Sequence, residues 1–403
     1  MTVLYIFQDD WPRNATRVAK QTHSLALAGY RVCLLAGNPR RSARRDHNGW
    51  MEIRRLPAPA APLLRRLVNL PLFFNPVWLW CAWRTARAVR ADCIVVRDLP
   101  LALAAVWVGR WLGIPVHYDM ADVYPLWFRA SRADHPSVFS RLLRSPTIAA
   151  WVERRVIRRA ATVFVVAEES RARCVALGVP TARVVLVGNT PANVAALCAQ
   201  HPVPSDVAAL GTRPVVLFVG NLLSDRGLDR AITAMRDVAC ELPDAALVLI
   251  GDGREGPRLM QLVRALGLVD HVYFLGWKPH GQHAPYYACA RVGILPFLAT
   301  EHIRITLANK LFDYMGAGLP VIASDVPPMR RILEETGAGV LVPPGDSSAL
   351  ARTIITLLGD ERLRCTLGDN GRRAVATRYH WNVDARRLVA AIETTAPARP
   401  PSR

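Results

Sequence analysis

The sequence predicts an α/β protein built from two doubly wound domains that face a central cleft. Three observations carry that prediction. The chain has 403 residues, more than one ordinary core accommodates and enough for two domains of roughly 150–200 residues. Short apolar runs of strand length alternate with helix-like stretches. That rhythm breaks once, near the middle, and then begins again.

In chain order, "VLYIF" reads as a strand, "ATRVAKQTHSLALAGY" as a helix closed by Gly29, and "RVCLLAG" as the next strand. Then "CIVVRD", "PVHYDMAD" and "TVFVVAEES" each run apolar and end polar, separated by helical stretches such as "LALAAVWVGRWLG". Strands alternating with helices imply a parallel sheet covered on both faces. Residues 196–213, with Pro202, Pro204 and Gly211, read as a linker. After it come the strand "PVVLFVGN" and a helix with Leu228, Ile232, Met235 and Ala239 at helical spacing. "AALVLIGDG", "VYFLGW", "VGILPF", "PVIAS" and "GVLV" follow as strands. The expected domains are 1–195 and 214–379, with a helix at about 380–396 placed to pack back on the first. The tail "TTAPARPPSR" reads as frayed.

Composition excludes some classes and favours others. Eight cysteines stand singly, with no CxxC pair, which argues for a reducing cytoplasm and against a disulfide framework or a zinc site. The longest apolar run, Leu67 to Trp83, is 17 residues long and is interrupted by Asn69, Pro71, Asn75 and Pro76. It is expected to be interfacial or buried rather than spanning. The net charge is +19, unevenly spread: residues 1–200 hold 28 basic and 12 acidic side chains (+16), and residues 201–403 hold 23 and 20 (+3). A basic half points to a polyanionic partner. Nothing resembles a nucleic-acid recognition module, which leaves an anionic membrane surface. The plainer alternative is an arginine-rich composition, since the only lysines are Lys20, Lys278 and Lys310.

The stretch "ITLANKLFDYMGAGLPVIAS" mixes polar residues into an apolar pattern. It predicts a helix from Thr306 to Met315, with Leu307, Leu311 and Met315 on one stripe and Asn309, Lys310 and Asp313 close together. Free N–H groups near Thr306 would suit an anion. Lys310 adds a point charge, and Asp313 can accept two hydrogen bonds from a ribose diol. An exposed Lys–Asp pair on an ordinary helix is the bland alternative. "VVLFVGNLLSDRGLDRAI" reads as strand, glycine turn and helix, where Gly220 allows close approach and Arg226 could pair with a diphosphate. "IGDG" is a further, weaker glycine turn.

Taken together, "FVGNLLSDRGLDRAI", "LVLIGDGREGPRL", "VYFLGWKPHGQHAPYYACARVGILPF" and "NKLFDYMGAGLPVIASDVPPMRRIL" occur in the order and spacing of retaining glycosyltransferases of the GT-B fold. They resemble the group-4 family, and "NKLFDYMGAGLPVIAS" looks like its bacterial exopolysaccharide and O-antigen members. The resemblance is specific over about 214–385 and looser over 1–190. It implies two Rossmann-like domains.

Position by position, the resemblance places the ribose-binding acid on Asp313 and the diphosphate-binding cation on Arg226. Asn221 stands where the family has a second basic residue, a loss that Lys310 is placed to make good. The first acid of the EX7E motif falls on Ile305, with Glu301 nearby. The base is expected near Gly276 and Trp277, and Gly220, Thr306 and Asn309 complete the expected donor site. The family's histidine near the reacting sugar falls on Ala121, which leaves His117, Asp119 and Asp122 as candidates. The implied chemistry is transfer from a nucleoside-diphosphate sugar with retention, by electrostatic stabilisation from Arg226 and Lys310, with no metal or cofactor.

The acceptor is expected on the basic first domain. There Arg65, Arg66, Trp78, Trp80, Trp83, Arg84 and Arg87 mix aromatic and cationic side chains as a membrane interface does. This suggests a lipid-linked sugar or polysaccharide acceptor, no nucleic acid, and a cytoplasmic protein held peripherally at the inner leaflet. The competing readings are a nucleotide-sugar 2-epimerase and a non-catalytic partner subunit of the same fold.

Overall fold

The structure is a computed structural model. It describes residues 1–12, 15–70, 73–131, 144–199 and 201–395. The chain divides into two compact units. The first is formed by Met1–Arg129, His135–Gly188 and Asn382–Arg403, the second by Ala130–Asp134 and Asn189–Trp381, as far as their residues are described.

The first unit holds an eight-stranded sheet. Its strands are β1 (Thr2–Asp10), β2 (Arg31–Gly37), β3 (Arg45–His47), β4 (Met51–Arg55), β5 (Cys93–Arg97), β6 (Val116–Met120), β7 (Thr162–Val165) and β8 (Val184–Leu186). They lie in the order β3-β4-β2-β1-β5-β6-β7-β8. All pairings are parallel except β3 with β4. The central strands are apolar throughout, as a sheet covered on both faces requires: Val3 to Phe7 and Cys93 to Val96 are all buried. β3 and β4, which the sequence pattern missed, lie at one edge, and β3 is wholly exposed.

The second unit repeats the plan with six parallel strands: β9 (Val215–Val219), β10 (Ala246–Ile250), β11 (Val272–Phe274), β12 (Val292–Leu295), β13 (Val321–Ser324) and β14 (Gly339–Val342). Their order is β11-β10-β9-β12-β13-β14. In both sheets the order reverses beside the first strand, between β1 and β5 and between β9 and β12. Such reversal points open a crevice at the carboxyl ends of the strands.

Several boundaries differ from the sequence reading. Residues 196–213 are part of the second unit: Ser205–Ala208 is a short helix, and Val207 and Leu210 are buried in that unit's core. Proline and glycine content alone did not reveal these two apolar anchors. The last helix, Trp381–Glu393, belongs to the first unit from Asn382 on. Of the tail expected to fray, Thr394 and Thr395 continue its hydrogen bonding, and 396–403 lie outside the described residues. The apolar run is broken into helices Pro62–Asn69 and Pro76–Val89, the second capped by the Asn75 side chain; Pro71 lies outside the described residues. No helix among the described residues is long and apolar enough to cross a membrane.

Candidate functional site

Some of the expected donor residues lie at the second sheet's reversal point. The glycine turn after β9 and the loop after β12 interlock there. Leu298 N–H donates to the Asp225 carbonyl at 2.9 Å. Gly227 has φ +64, and a Cβ on it would come to 2.0 Å from the Pro296 carbonyl oxygen. The turn after β10 fits as closely against the first, since a Cβ on Gly251 would meet Gly220 O at 1.9 Å. Only glycine allows these backbones to meet. Gly251 N–H also donates to Gly276 O at 2.9 Å, which ties in the loop carrying Trp277. Trp277 is 55% exposed.

The helix of the opening stretch is Asn309–Ala317, ended by Gly318 at φ +72. It begins three residues later than Thr306. The Thr306 hydroxyl turns back onto the His302 carbonyl at 2.9 Å, and the Arg304 N–H bonds Thr300 O, so the preceding residues form turns of their own. The Tyr314 hydroxyl accepts from Val219 N–H at 2.9 Å, which docks the helix against the end of β9 beside Gly220. Leu311 and Met315 are fully buried, as their stripe predicted.

Asp313 is only 3% exposed. Lys310 Nζ lies 2.9 Å from its Oδ2, and His280 Nε2 lies 3.5 Å from the same oxygen. Lys310 Nζ also reaches His283 Nδ1 at 3.1 Å and the Tyr287 hydroxyl at 3.3 Å. An ammonium has no acceptor, so His283 Nδ1 must accept, and His283 Nε2–H then donates to Lys278 O at 3.1 Å. Burial, then Lys310, pushes the His283 pKa down to about 3, so the ring is neutral at physiological pH. Burial alone would raise Asp313, but Lys310 and His280 hold its carboxyl well below the usual range. Asp313 is therefore ionised at any working pH. The sequence reading brought Lys310 and Asp313 together but did not single out His280, His283 or Tyr287. Their signal was the polar run "KPHGQH" leading into the short helix Ala284–Cys289, which carries Tyr287.

The other donor candidates are less concentrated. The Arg226 guanidinium sits over the Phe297 ring at 4.7 Å, with its Nε 3.5 Å from Asp225. Asn221, Asn309 and Glu301 are exposed, and Ile305 is half-buried.

In the first unit two candidates prove structural. Asp119 is fully buried and takes a bidentate grip from Arg17, Nε to Oδ2 at 2.9 Å and Nη2 to Oδ1 at 2.6 Å. Arg17 also holds the carbonyls of Val187 and Gly188. An aspartate so enclosed is a brace between the end of β8 and the centre of the sheet, not a group that meets substrate. His117 is buried too, stacked on Phe164 and 3.3 Å from the Thr395 hydroxyl, and burial pushes its pKa down to about 4. Asp122 remains exposed. Beside these, sequence reasoning missed Asp98, a buried carboxyl just after β5 at φ +69.

The expected membrane residues divide as well. Trp78 is 1% exposed and belongs to the core, because helical spacing turns it inward with Cys81 and Ala82. Trp80 is 50% exposed with Arg84 over its ring at 5.1 Å, and Arg87 lies over Trp83 at 5.0 Å. Arg66, Arg84 and Arg87 are exposed, and Arg65 is half-buried. Leu63, Leu64, Leu67, Phe74 and Trp151 add exposed apolar surface, and Arg155 lies over Trp151 at 3.5 Å.

Two family models match the chain. Residues 15–190 match a glycosyl transferase 4-like domain, and residues 213–360 match glycosyl transferases group 1. Both matching models describe glycosyl transferase domains. The chain is 36% identical over 182 residues to a phosphatidyl-myo-inositol mannosyltransferase of Mycobacterium leprae, covering 45% of this chain and 46% of the relative. It is 26% identical to a 2-deoxystreptamine glucosyltransferase of Streptomyces kanamyceticus, over 85% of this chain and 89% of the relative.

Among solved structures, sucrose-phosphate synthase of Thermosynechococcus elongatus shares the fold with a TM-score of 0.78, at 22% identity and 98% coverage of both chains. Anabaena HepE, solved with UDP and glucose, shares it with a TM-score of 0.73, at 17% identity and covering 98% of this chain and 100% of that one. The glycosyltransferase resemblance drawn from four motifs thus stands, and the two sheets are the two halves of that fold. Among the described residues no group of His, Cys, Asp and Glu could hold a metal ion.

Proposed function

We propose that this chain is a glycosyltransferase that moves a sugar from a nucleoside-diphosphate sugar to a hydroxyl of a lipid-linked or polysaccharide acceptor, with retention at the anomeric carbon. The observation that carries the reading is the Lys310–Asp313 pair at the second sheet's reversal point, beside two interlocked glycine turns. A cation fixed by a buried carboxylate, next to backbone that a ligand can approach closely, suits a diphosphate and its ribose. Lys310 and Arg226 stabilise the charge that grows on the leaving diphosphate, and Asp313 holds Lys310 in place while offering its other oxygen to the ribose. The acceptor O–H bonds to the anomeric carbon as the carbon–oxygen bond to diphosphate breaks, and its proton passes to the departing phosphate. The UDP and glucose bound by Anabaena HepE support a donor of this class.

The aromatic and basic surface of the first unit favours a peripheral seat on the anionic inner leaflet, where the acceptor's lipid would lie. Each basic residue near such a surface contributes about 1 kcal/mol, so Arg66, Arg84, Arg87 and Arg155 together suffice. The M. leprae relative, named for a phosphatidyl-myo-inositol, is consistent with a lipid acceptor.

Two assays test this. Incubation with UDP- and GDP-sugars and a membrane extract should release one nucleoside diphosphate, and NMR of the product should show the donor's anomeric configuration. Inversion would sink the retaining step, and no release with any sugar nucleotide would sink the enzyme reading. Flotation with phosphatidylglycerol vesicles at low salt should carry the protein upward and fail at high salt; absence of binding removes the membrane seat.

A further inference from the structure

Lys310 is held by more than its carboxylate. Its ammonium carries three protons, and three acceptors stand within reach: Asp313 Oδ2 at 2.9 Å, His283 Nδ1 at 3.1 Å and the Tyr287 hydroxyl at 3.3 Å. Asp313 lies three residues further along the same helix. The other two come from the start of the helix Ala284–Cys289, where His283 precedes the first turn and Tyr287 lies four residues on, along the same side. The charge is thus held from two helices at once. The Tyr287 hydroxyl also donates to Asp313 Oδ2 at 3.5 Å, which closes the cluster.

His283 is itself fixed. It is 8% exposed. Its ring packs against those of His280 at 5.4 Å and Tyr287 at 6.2 Å, and Tyr287 in turn stands edge-on to Tyr314 at 5.5 Å. Its Nε2–H donates to the Lys278 carbonyl, which leaves Nδ1 as a pure acceptor. Lys278 is anchored as well. Its Nζ lies 2.8 Å from Asp206 Oδ2, and the Tyr286 hydroxyl donates to the same carboxylate at 3.0 Å. Asp206 belongs to the short helix Ser205–Ala208, inside the segment that reads as a linker in the sequence. A relay therefore runs from Asp206 through Lys278 and His283 to Lys310, and each contact in it orients the next.

A cation stabilises growing negative charge best when it is already in place, because nothing then has to reorganise as the leaving group departs. A neutral acceptor is the partner that does this without cost to the charge. A second carboxylate would cancel the ammonium, and a cation would repel it. Burial, then Lys310 itself, keeps the imidazole neutral.

We propose that His283 is a positioning residue of the donor site: by accepting through Nδ1 it fixes the Lys310 ammonium where the donor's diphosphate binds. The proposal rests on the transferase reading and deepens its donor site.

Three substitutions separate this role from a merely structural one. His283→Leu removes both ring hydrogen bonds. His283→Asn puts an amide oxygen near the place of Nδ1, so it can still accept from Lys310. His283→Gln puts an amide nitrogen near the place of Nε2, so it can still donate to the Lys278 carbonyl and serves the loop alone. Calorimetry with UDP and GDP should show nucleotide binding weakened tenfold or more in His283→Leu and His283→Gln, and within threefold of wild type in His283→Asn. Urea denaturation checks that each variant is folded, and the Asn and Gln variants decide the matter even where His283→Leu is not. Full binding in His283→Leu, failure of His283→Asn to recover it, or equal recovery in His283→Gln overturns the proposal. Imidazole 15N NMR of ligand-free wild type judges the geometry by itself: an unprotonated Nδ1 is expected for His283, and a protonated one overturns the proposal even where nucleotide binds. Binding of neither nucleotide to wild type overturns the transferase reading and this proposal together, whereas binding to wild type with the wrong pattern of variants overturns this proposal alone.

Discussion

The first sheet reverses its strand order between β1 and β5, the second between β9 and β12, and the two crevices are furnished in opposite ways. At the second, Lys310 and His280 lie against the carboxylate of Asp313, near turns that only glycine can form, and Arg226 lies over Phe297. At the first, the buried Asp98 lies beside Arg97, and unpaired polar atoms remain among the described residues. The same topology thus carries two differently furnished strand ends. The lesson is that the fold sets where a ligand binds, while side-chain charge sets what it is.

The comparison can be broken most sharply at Lys310. Lys310→Met leaves Asp313 as a buried charge without its main partner, which costs about 3–5 kcal/mol. The expected outcome is a clear fall in the urea midpoint at pH 7 and loss of nucleotide binding beyond a hundredfold. A double variant, Lys310→Met with Asp313→Leu, should recover stability but not binding. Full binding in either variant would remove the cationic site.

Asp98 should behave oppositely. Its folded-state pKa of about 7 stands above the value near 3.8 of an unfolded aspartate, so folding retains a proton that the unfolded chain gives up. Below about pH 4 both states are protonated and nothing is lost. As pH rises from 4 through 7 the cost grows, to at most about 4 kcal/mol above pH 7. Asp98→Asn should therefore raise the urea midpoint at pH 8 and leave it almost unchanged at pH 4.

A smaller effect is expected at Trp277. Its exposed ring at the rim of the cationic crevice offers a stacking face worth about 1 kcal/mol. Trp277→Ala should weaken nucleotide binding about fivefold by calorimetry.

Much of this was legible in the sequence, for physical reasons. Buried parallel strands are continuously apolar, so "VLYIF" and "AALVLI" announce themselves, and helices that end on Gly113 or Gly318 mark their own boundaries. Lys310 and Asp313 stand three apart on one helix, so local spacing was enough to pair them. What stayed hidden depends on distance along the chain or on backbone geometry. Arg17 meets Asp119 across 102 residues, and no local pattern shows that an aspartate at a strand end will be consumed by a brace. Asp98 takes its character from a positive φ and from neighbours on three strands. Trp78 and Trp80 are two apart on a helix, yet one lies in the core and the other in solvent. The edge strands β3 and β4 are too polar to resemble the buried ones.

The most direct measurement is calorimetric titration of UDP and GDP into wild type, Asp313→Ala and Asp98→Asn. The account predicts micromolar binding of one nucleotide to wild type, its loss in Asp313→Ala, and an affinity within twofold of wild type in Asp98→Asn. Binding of neither nucleotide, or equal loss in both variants, would contradict the division of labour between the two crevices.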